Sequence, residues 1–278
     1  TNTIHSYSHT GKLSGAVGTL AAHHLTYPNI DWIKFGQSFI TSFGLQPVIP
    51  TTQILPGIYW ANLFTHLHQL SLAIISLCQD MWTYISLDYL SQKNVKTEVG
   101  SSTMPQKTNP IDFENAEGNA QLASSLFSFF ISKFSHSRLQ RDLSDSIVRR
   151  NFGVAFGHLL IAANSLERAI NRITPSNQIM LHDVQAHPNI LAEAYQTLLR
   201  SHHIHNAYDL VKSATRGQDF DLNRLIKQLQ QNKLSPNLIS QITKLQPESY
   251  IGYSSRITSI THKEVNKIIK LISKEMYS

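Results

Sequence analysis

The chain has 278 residues, near the upper limit for one hydrophobic core, so two domains or a long helical body with an appendage are expected. Its hydrophobic fraction of 41% excludes disorder and collagen-like repeats, and one cysteine excludes a disulfide scaffold. The 15% of charged residues falls below the usual ~25%, which favours an oligomer with helix faces buried between subunits.

The net charge of +6 points to an anionic partner. No run of five or more Lys/Arg exists, so a phosphorylated or polycarboxylate small molecule fits better than nucleic acid. The opening TNTIHSYSHTGK lacks the apolar core of a signal peptide, and no apolar stretch is long enough to span a bilayer. With Cys78 inside the apolar run SLAIISLC, these features predict a soluble cytoplasmic protein with a core thiol.

In chain order, helical spacing first appears over Asp31 to Phe43, with apolar residues at 32, 35, 39, 40 and 43. The loop GLQPVIPTTQILPG follows, where Pro47, Pro50 and Pro56 forbid a regular helix. From Ile58 to about Leu90 there is neither Pro nor Gly, and the apolar spacing predicts one helix on the order of 50 Å long. A polar segment separates it from two further long helical runs, Ile111 to Phe134 and Asp145 to Ile173. Three such helices imply a bundle, and no convincing alternating strand is present. Beyond Thr174-Pro175 the helices read as short, about three turns each, between polar stretches. The expected organisation is therefore all-α: a long-helix bundle over 1–175 and a small helical domain over 176–278.

Two segments carry the chemistry. In GSSTMPQKTNP, residues 100–110, hydroxyls, Lys107 and Asn109 lie just before a helix N-terminus, where backbone N–H groups and the helix dipole favour a carboxylate or phosphate. Read from the residues alone, a solvated connector is an equal alternative. In Arg141-Asp-Leu-Ser-Asp-Ser146-Ile-Val-Arg149-Arg150, a loop enters a helix capped by Asp142 or Ser144. Ser146 and Arg150 share a helix face, and Arg141 can reach the same end, as a phosphate clamp requires. Surface ion pairs with Asp142 and Asp145 are the alternative. The fourteen histidines, densest at Ser201-His202-His203-Ile204-His205, lack zinc-site spacing, so neither a metal nor a cofactor is expected.

The string GSSxMPxKxN resembles the signature of the fumarase/aspartase superfamily. The neighbouring NPIDFENAEGN and SRLQRDLSDSIVRRNFGVAFGH are similar to the bacterial type of adenylosuccinate lyase, as are GKLSGAVG, His23, PTTQ at 50–53, LAEAYQTLLR, ATRG and YIGY. The resemblance implies the superfamily's helical bundle, a homotetramer whose active sites each draw on three subunits, and elimination of fumarate from a succinyl purine nucleotide. By matching position it makes Ser101 the general base. It gives Ser102, Lys107, Thr108, Asn109 and Asn115 to substrate binding, and Glu114 to orienting a catalytic histidine. Gln53, Arg141, Ser146, Arg149 and Arg150 become substrate-binding positions, with Arg141, Ser146 and Arg150 on the nucleotide.

Departures accompany the likeness. Family members are normally much longer, and the part expected before Gly11 carries the general-acid histidine; SYSHT, with His9, is not that motif. Gln106 stands where His is usual, as in argininosuccinate lyases, and Leu55 and Gly57 replace polar or acidic residues. An inactive remnant serving as an oligomerisation module, or a lyase acting on argininosuccinate, are the alternative expectations.

Overall fold

The structure is a computed structural model that describes residues 9–93, 109–215, 222–231 and 234–276. By contacts the chain divides into two units, Thr1–Thr174 and Pro175–Ser278.

The first unit opens with a small cap. Strand β1 (Thr10–Gly11) pairs in parallel with β2 (Gln46–Pro47), Thr10 facing Gln46. Between them lie the short helix α1 (Ala21–Thr26) and α2 (Trp32–Thr41). The Asp31 carboxylate starts α2 by accepting the Lys34 amide at 3.0 Å. Trp32, Phe35, Phe39 and Phe43 follow one another along the exposed side of α2 and its end, with neighbouring ring centroids 5.1–6.2 Å apart.

The body is an antiparallel bundle of α3 (Ile58–Ser86), α4 (Ile111–Phe134) and α6 (Phe152–Arg172), with the single turn α5 (Asp145–Arg149) between the last two. Pairings across the interfaces give the directions. Phe64 of α3 meets Phe130 of α4, and Trp82 near the other end of α3 meets Glu114. Along α4 and α6, Phe130 meets Phe152, Asn119 meets His158, and Asn115 meets Ser165. Helix α4 is the middle rod, because it alone packs extensively on both others. Its buried side carries Ala116, Ala120 and Ala123, which let its neighbours approach closely, then Phe127, Phe130 and Phe134. Rings from the other two helices, Trp60, Phe64, Phe152 and Phe156, complete an aromatic cluster at the C-terminal end of α4. The opposite end is ionic: Asp112 accepts from Arg172 at 2.8 Å and from Arg168 at 3.2 Å. There Leu90–Gln92 (β3) pairs with Ile173–Pro175 (β4).

The expected single run over Asp145 to Ile173 is two helices. The backbone turns at Arg150 and Asn151, where the Asn151 amide bonds the Val148 carbonyl at 2.9 Å. The break leaves Phe152 free to turn into the aromatic cluster.

The second unit contains α7 (Asn177–Ala186), α8 (Ala192–Ser201), α9 (Ala207–Thr215), α10 (Leu222–Gln231), α11 (Pro236–Lys244) and α12 (Ser254–Met276). Its core gathers Leu191, Tyr195, Leu199, Val211, Leu225, Leu229, Leu238 and Ile242. Helix α11 has the expected local logic: Ser235 caps it by accepting the Leu238 amide, and Pro236 fills the first position. The sequence reading of uniformly short helices fails at α12, which has 23 residues with its apolar positions mostly exposed. No helix among the described residues is long and apolar enough to cross a membrane.

Phe64 is fully buried against Phe127, Phe130, Phe134 and Phe152. Phe64→Ala therefore costs about 3–5 kcal/mol, seen as a lowered urea midpoint. Cys78 is also fully buried, and burial, followed by the nearby Glu117 charge, pushes its thiol up to about 11. Labelling of Cys78 by an aromatic disulfide at pH 8 is expected only at the rate of unfolding, and rapid labelling of the native chain would contradict this packing.

Candidate functional site

Three segments far apart in sequence meet at the aromatic end of α4. The Lys12 ammonium donates to the carbonyls of Thr52 and Gln53, both at 2.8 Å. Gln140 approaches the same stretch from the other side, its Oε1 accepting the Gln53 amide at 3.0 Å and its carbonyl accepting the Thr52 hydroxyl at 2.9 Å. Ser14 and Thr51 hydroxyls lie 2.6 Å apart. Gly18, at φ +85°, lies so close to the Thr51 carbonyl that a Cβ there would overlap it. Thus GKLSGAVG, PTTQ and the loop before Arg141 form one assembly, in which Gln53 and Arg141 are exposed. Next to it an open cavity of about 530 Å³ is lined by Thr51, Thr52, Pro56, Phe134, Ser135 and His136, among others.

The turn that follows is fixed from within. Asp142 is buried and accepts the Lys133 ammonium at 2.7 Å, the Ser144 hydroxyl at 2.8 Å and the Ser144 amide at 3.0 Å. These bonds, that from Lys133 foremost, hold its carboxyl well below the usual carboxylate range. Asp142 thus closes the turn one step before α5, and neither it nor Ser144 caps the helix with its side chain. The Ser146 hydroxyl donates to the Leu143 carbonyl at 2.8 Å. Arg149 pairs with Asp145 at 3.2 Å, its guanidinium 5.4 Å from the Phe134 ring centroid and 5.9 Å from that of Trp60. Arg150 is exposed. Of the basic block, then, Arg141 and Arg150 face outward, while Arg149 is engaged with the bundle.

Three other expected residues, Asn109, Glu114 and Asn115, belong to the far end of α4. Glu114 lies in its first turn, exposed, and accepts from Trp82 Nε1 at 3.3 Å, so an indole stands where the expectation put a histidine. Asn115 donates to Ser165 Oγ at 3.0 Å and accepts from Asn119, whose Oδ1 lies 2.8 Å from His158 Nδ1. The Asn109 carbonyl accepts the Ile111 amide. Lys93 is tied to the same end, its amide bonded to the Arg172 carbonyl at 2.9 Å. Ser101, Ser102, Lys107 and Thr108 lie outside the described residues. From Asn115 to Phe134 the helix runs about 28 Å, so within one chain the two groups stand at opposite ends of one rod.

The sequence reading gave no role to Lys12, Lys133 or Gln140. Each acts through contacts with distant or turn segments, which carry no periodic signal. The available hints were that Lys12 falls inside GKLSGAVG and Gln140 inside SRLQRDLSDSIVRR.

Comparison with known proteins accounts for these strings together. The family model described as Lyase matches residues 3–123, and that described as Adenylosuccinate lyase C-terminal matches 137–251. Adenylosuccinate lyase of Legionella pneumophila (strain Corby) is 42% identical over 246 residues, covering 88% of this chain and 54% of the relative. The chain belongs to the adenylosuccinate lyase family. The family's enzyme from Buchnera aphidicola subsp. Acyrthosiphon pisum is 40% identical over 247 residues, and that from Escherichia coli (strain K12) 38% over 242. The chain spans about half the length of these relatives, 54% and 53% respectively.

Because Asp142 has a lowered pKa in the folded state, its stabilisation is complete above the unfolded value of about 4 and is lost as pH falls from there towards the folded one. Asp142→Asn is expected to lower the urea midpoint at pH 7 and to narrow the difference between pH 7 and pH 3. An unchanged difference would show that this carboxylate does not hold the turn.

Proposed function

We propose that the chain provides part of an adenylosuccinate lyase that eliminates fumarate from adenylosuccinate, giving AMP, and from the succinyl-carboxamide ribotide of purine synthesis (SAICAR), giving AICAR. Ser101, as base, takes a proton from the succinyl carbon beside a carboxylate. The carbon–nitrogen bond then breaks, and a general acid returns a proton to the departing nitrogen. Backbone amides and Lys107 stabilise the serine alkoxide, while Lys107 and Asn109 hold the carboxylate on which charge accumulates. Ser102, Thr108 and Asn115 bind the same arm, and Glu114 orients a histidine. Gln53 and Arg141, with Ser146, Arg149 and Arg150, take the rest of the substrate, the outward-facing Arg141 and Arg150 gripping the phosphate.

The observation that carries this reading is the convergence of GKLSGAVG, PTTQ and the Arg141 loop at one end of α4, with Gln53 and Arg141 exposed together. A single ligand needs both ends of the rod, which stand about 28 Å apart. The reading therefore includes a homotetramer in which antiparallel bundles bring the base-bearing end of one copy to the clamp of another. Exposed apolar residues on the outer faces of the bundle, including Leu122 and Phe129 on α4 and Leu160 and Ile161 on α6, suit such burial. The assembly acts on small molecules in the cytoplasm, without a nucleic-acid partner.

The general acid is expected on a segment outside these 278 residues. Fumarate release from adenylosuccinate, followed by absorbance, should thus be undetectable with this chain alone and appear when it is mixed with the N-terminal portion of a complete relative. Turnover by the chain alone would refute that assignment of the acid. AMP should bind the chain at roughly millimolar concentration, and Arg141→Ala should abolish this. Failure of the unaltered chain to bind AMP would overturn the nucleotide assignment.

A further inference from the structure

The stretch that presents Gln53 has no regular structure of its own. Pro47, Pro50 and Pro56 remove backbone donors, and no helix or strand includes residues 48–57. Its backbone is fixed by side chains from elsewhere. Lys12 bonds two successive carbonyls, at Thr52 and Gln53, from one side. Gln140 takes the Gln53 amide and the Thr52 hydroxyl from the other. A lysine that donates two charge-assisted bonds to adjacent carbonyls sets the direction of the peptide between them, and that peptide carries the exposed Gln53. Gln140 directly precedes Arg141, so the same contacts fix Gln53 relative to an outward-facing arginine.

We propose that Lys12, with Gln140 opposite it, is a positioning residue for substrate binding: it holds the Thr52–Gln53 backbone so that Gln53 meets the substrate beside Arg141. This rests on the lyase reading above. Lys12 acts through Gln53 and touches no reacting atom.

Its effect should therefore vanish when the Gln53 side chain is gone, whereas a purely structural role would persist. The test is adenylosuccinate binding by titration calorimetry to the unaltered chain, Lys12→Met, Gln53→Ala, the double variant and Lys12→Arg, with thermal unfolding recorded for each. The expected result is a loss of affinity of about tenfold for Lys12→Met, no further loss when Lys12→Met is added to Gln53→Ala, and affinity within about threefold of the original for Lys12→Arg. Should Lys12→Met fail to fold, Gln140→Ala, which removes the acceptor of the Gln53 amide, carries the same cycle. Unaltered affinity in Lys12→Met, or an equal loss with and without the Gln53 side chain, overturns the role of Lys12 alone. Absence of binding by the unaltered chain overturns the lyase reading and this role together.

Discussion

Helix α4 is packed on both sides, by α3 and by α6, and everything of functional interest hangs from its two ends. The close approach depends on its small residues: Ala116, Ala120 and Ala123 are fully buried, as is Ala162 on α6. Large side chains there would force the helices apart and cost packing along the whole rod. Where the alanines stop, phenylalanines begin, and the space between the helices fills with rings. The bundle thus changes character along its length, with an ionic cluster at Asp112 and an aromatic one at Phe134.

That gradient explains how each end holds its loops. At the ionic end, Arg168 and Arg172 converge on Asp112, and Lys93 bonds the backbone of Arg172. At the aromatic end, Gly57 sits so tightly on the Phe134 carbonyl that a side chain there would overlap it, which lets α3 begin beside the end of α4. Arg149 lies close to both the Phe134 and Trp60 rings, which ties α5 to the bundle, while its ion pair with Asp145 lies within α5 itself. Lys133, from the last turn of α4, reaches the buried Asp142 and fixes the turn that displays Arg141. The described loops at both ends are thus referenced to the same rod.

How much of this could be read beforehand follows from the kind of signal each feature leaves. The three long helices announce themselves by apolar spacing, and α3 and α4 fall close to their expected limits. The break at Arg150 and Asn151 was hidden because the apolar period runs on through it: Ile147, Val148 and Phe152 suit one continuous helix as well as two. Helix α12 was missed for the opposite reason. The polar stretches earlier in its unit suggested a short-helix texture, which its own sequence does not share. The chemical strings were legible because they are fixed in order and spacing, but which of their residues face outward was not. Arg149 and Arg150 are neighbours of the same type, and only the position of the Phe134 and Trp60 rings separates an engaged arginine from an exposed one.

The separation of the two ends also constrains the order in which a working site could be built. Asn115, assigned to the succinyl arm, and the turn assigned to the phosphate cannot close on one ligand while they belong to one rod, since a helix of 24 residues does not fold back on itself. Bending α4 would break the alanine packing before the ends met. Placing a second rod antiparallel to the first brings unlike ends together without disturbing either, and does so twice, because the relation is symmetric. Under the lyase reading, association is then part of the chemistry: each rod contributes its base-bearing end to one site and its clamp to another. Packing at the middle of α4 sets the distance that both sites must share.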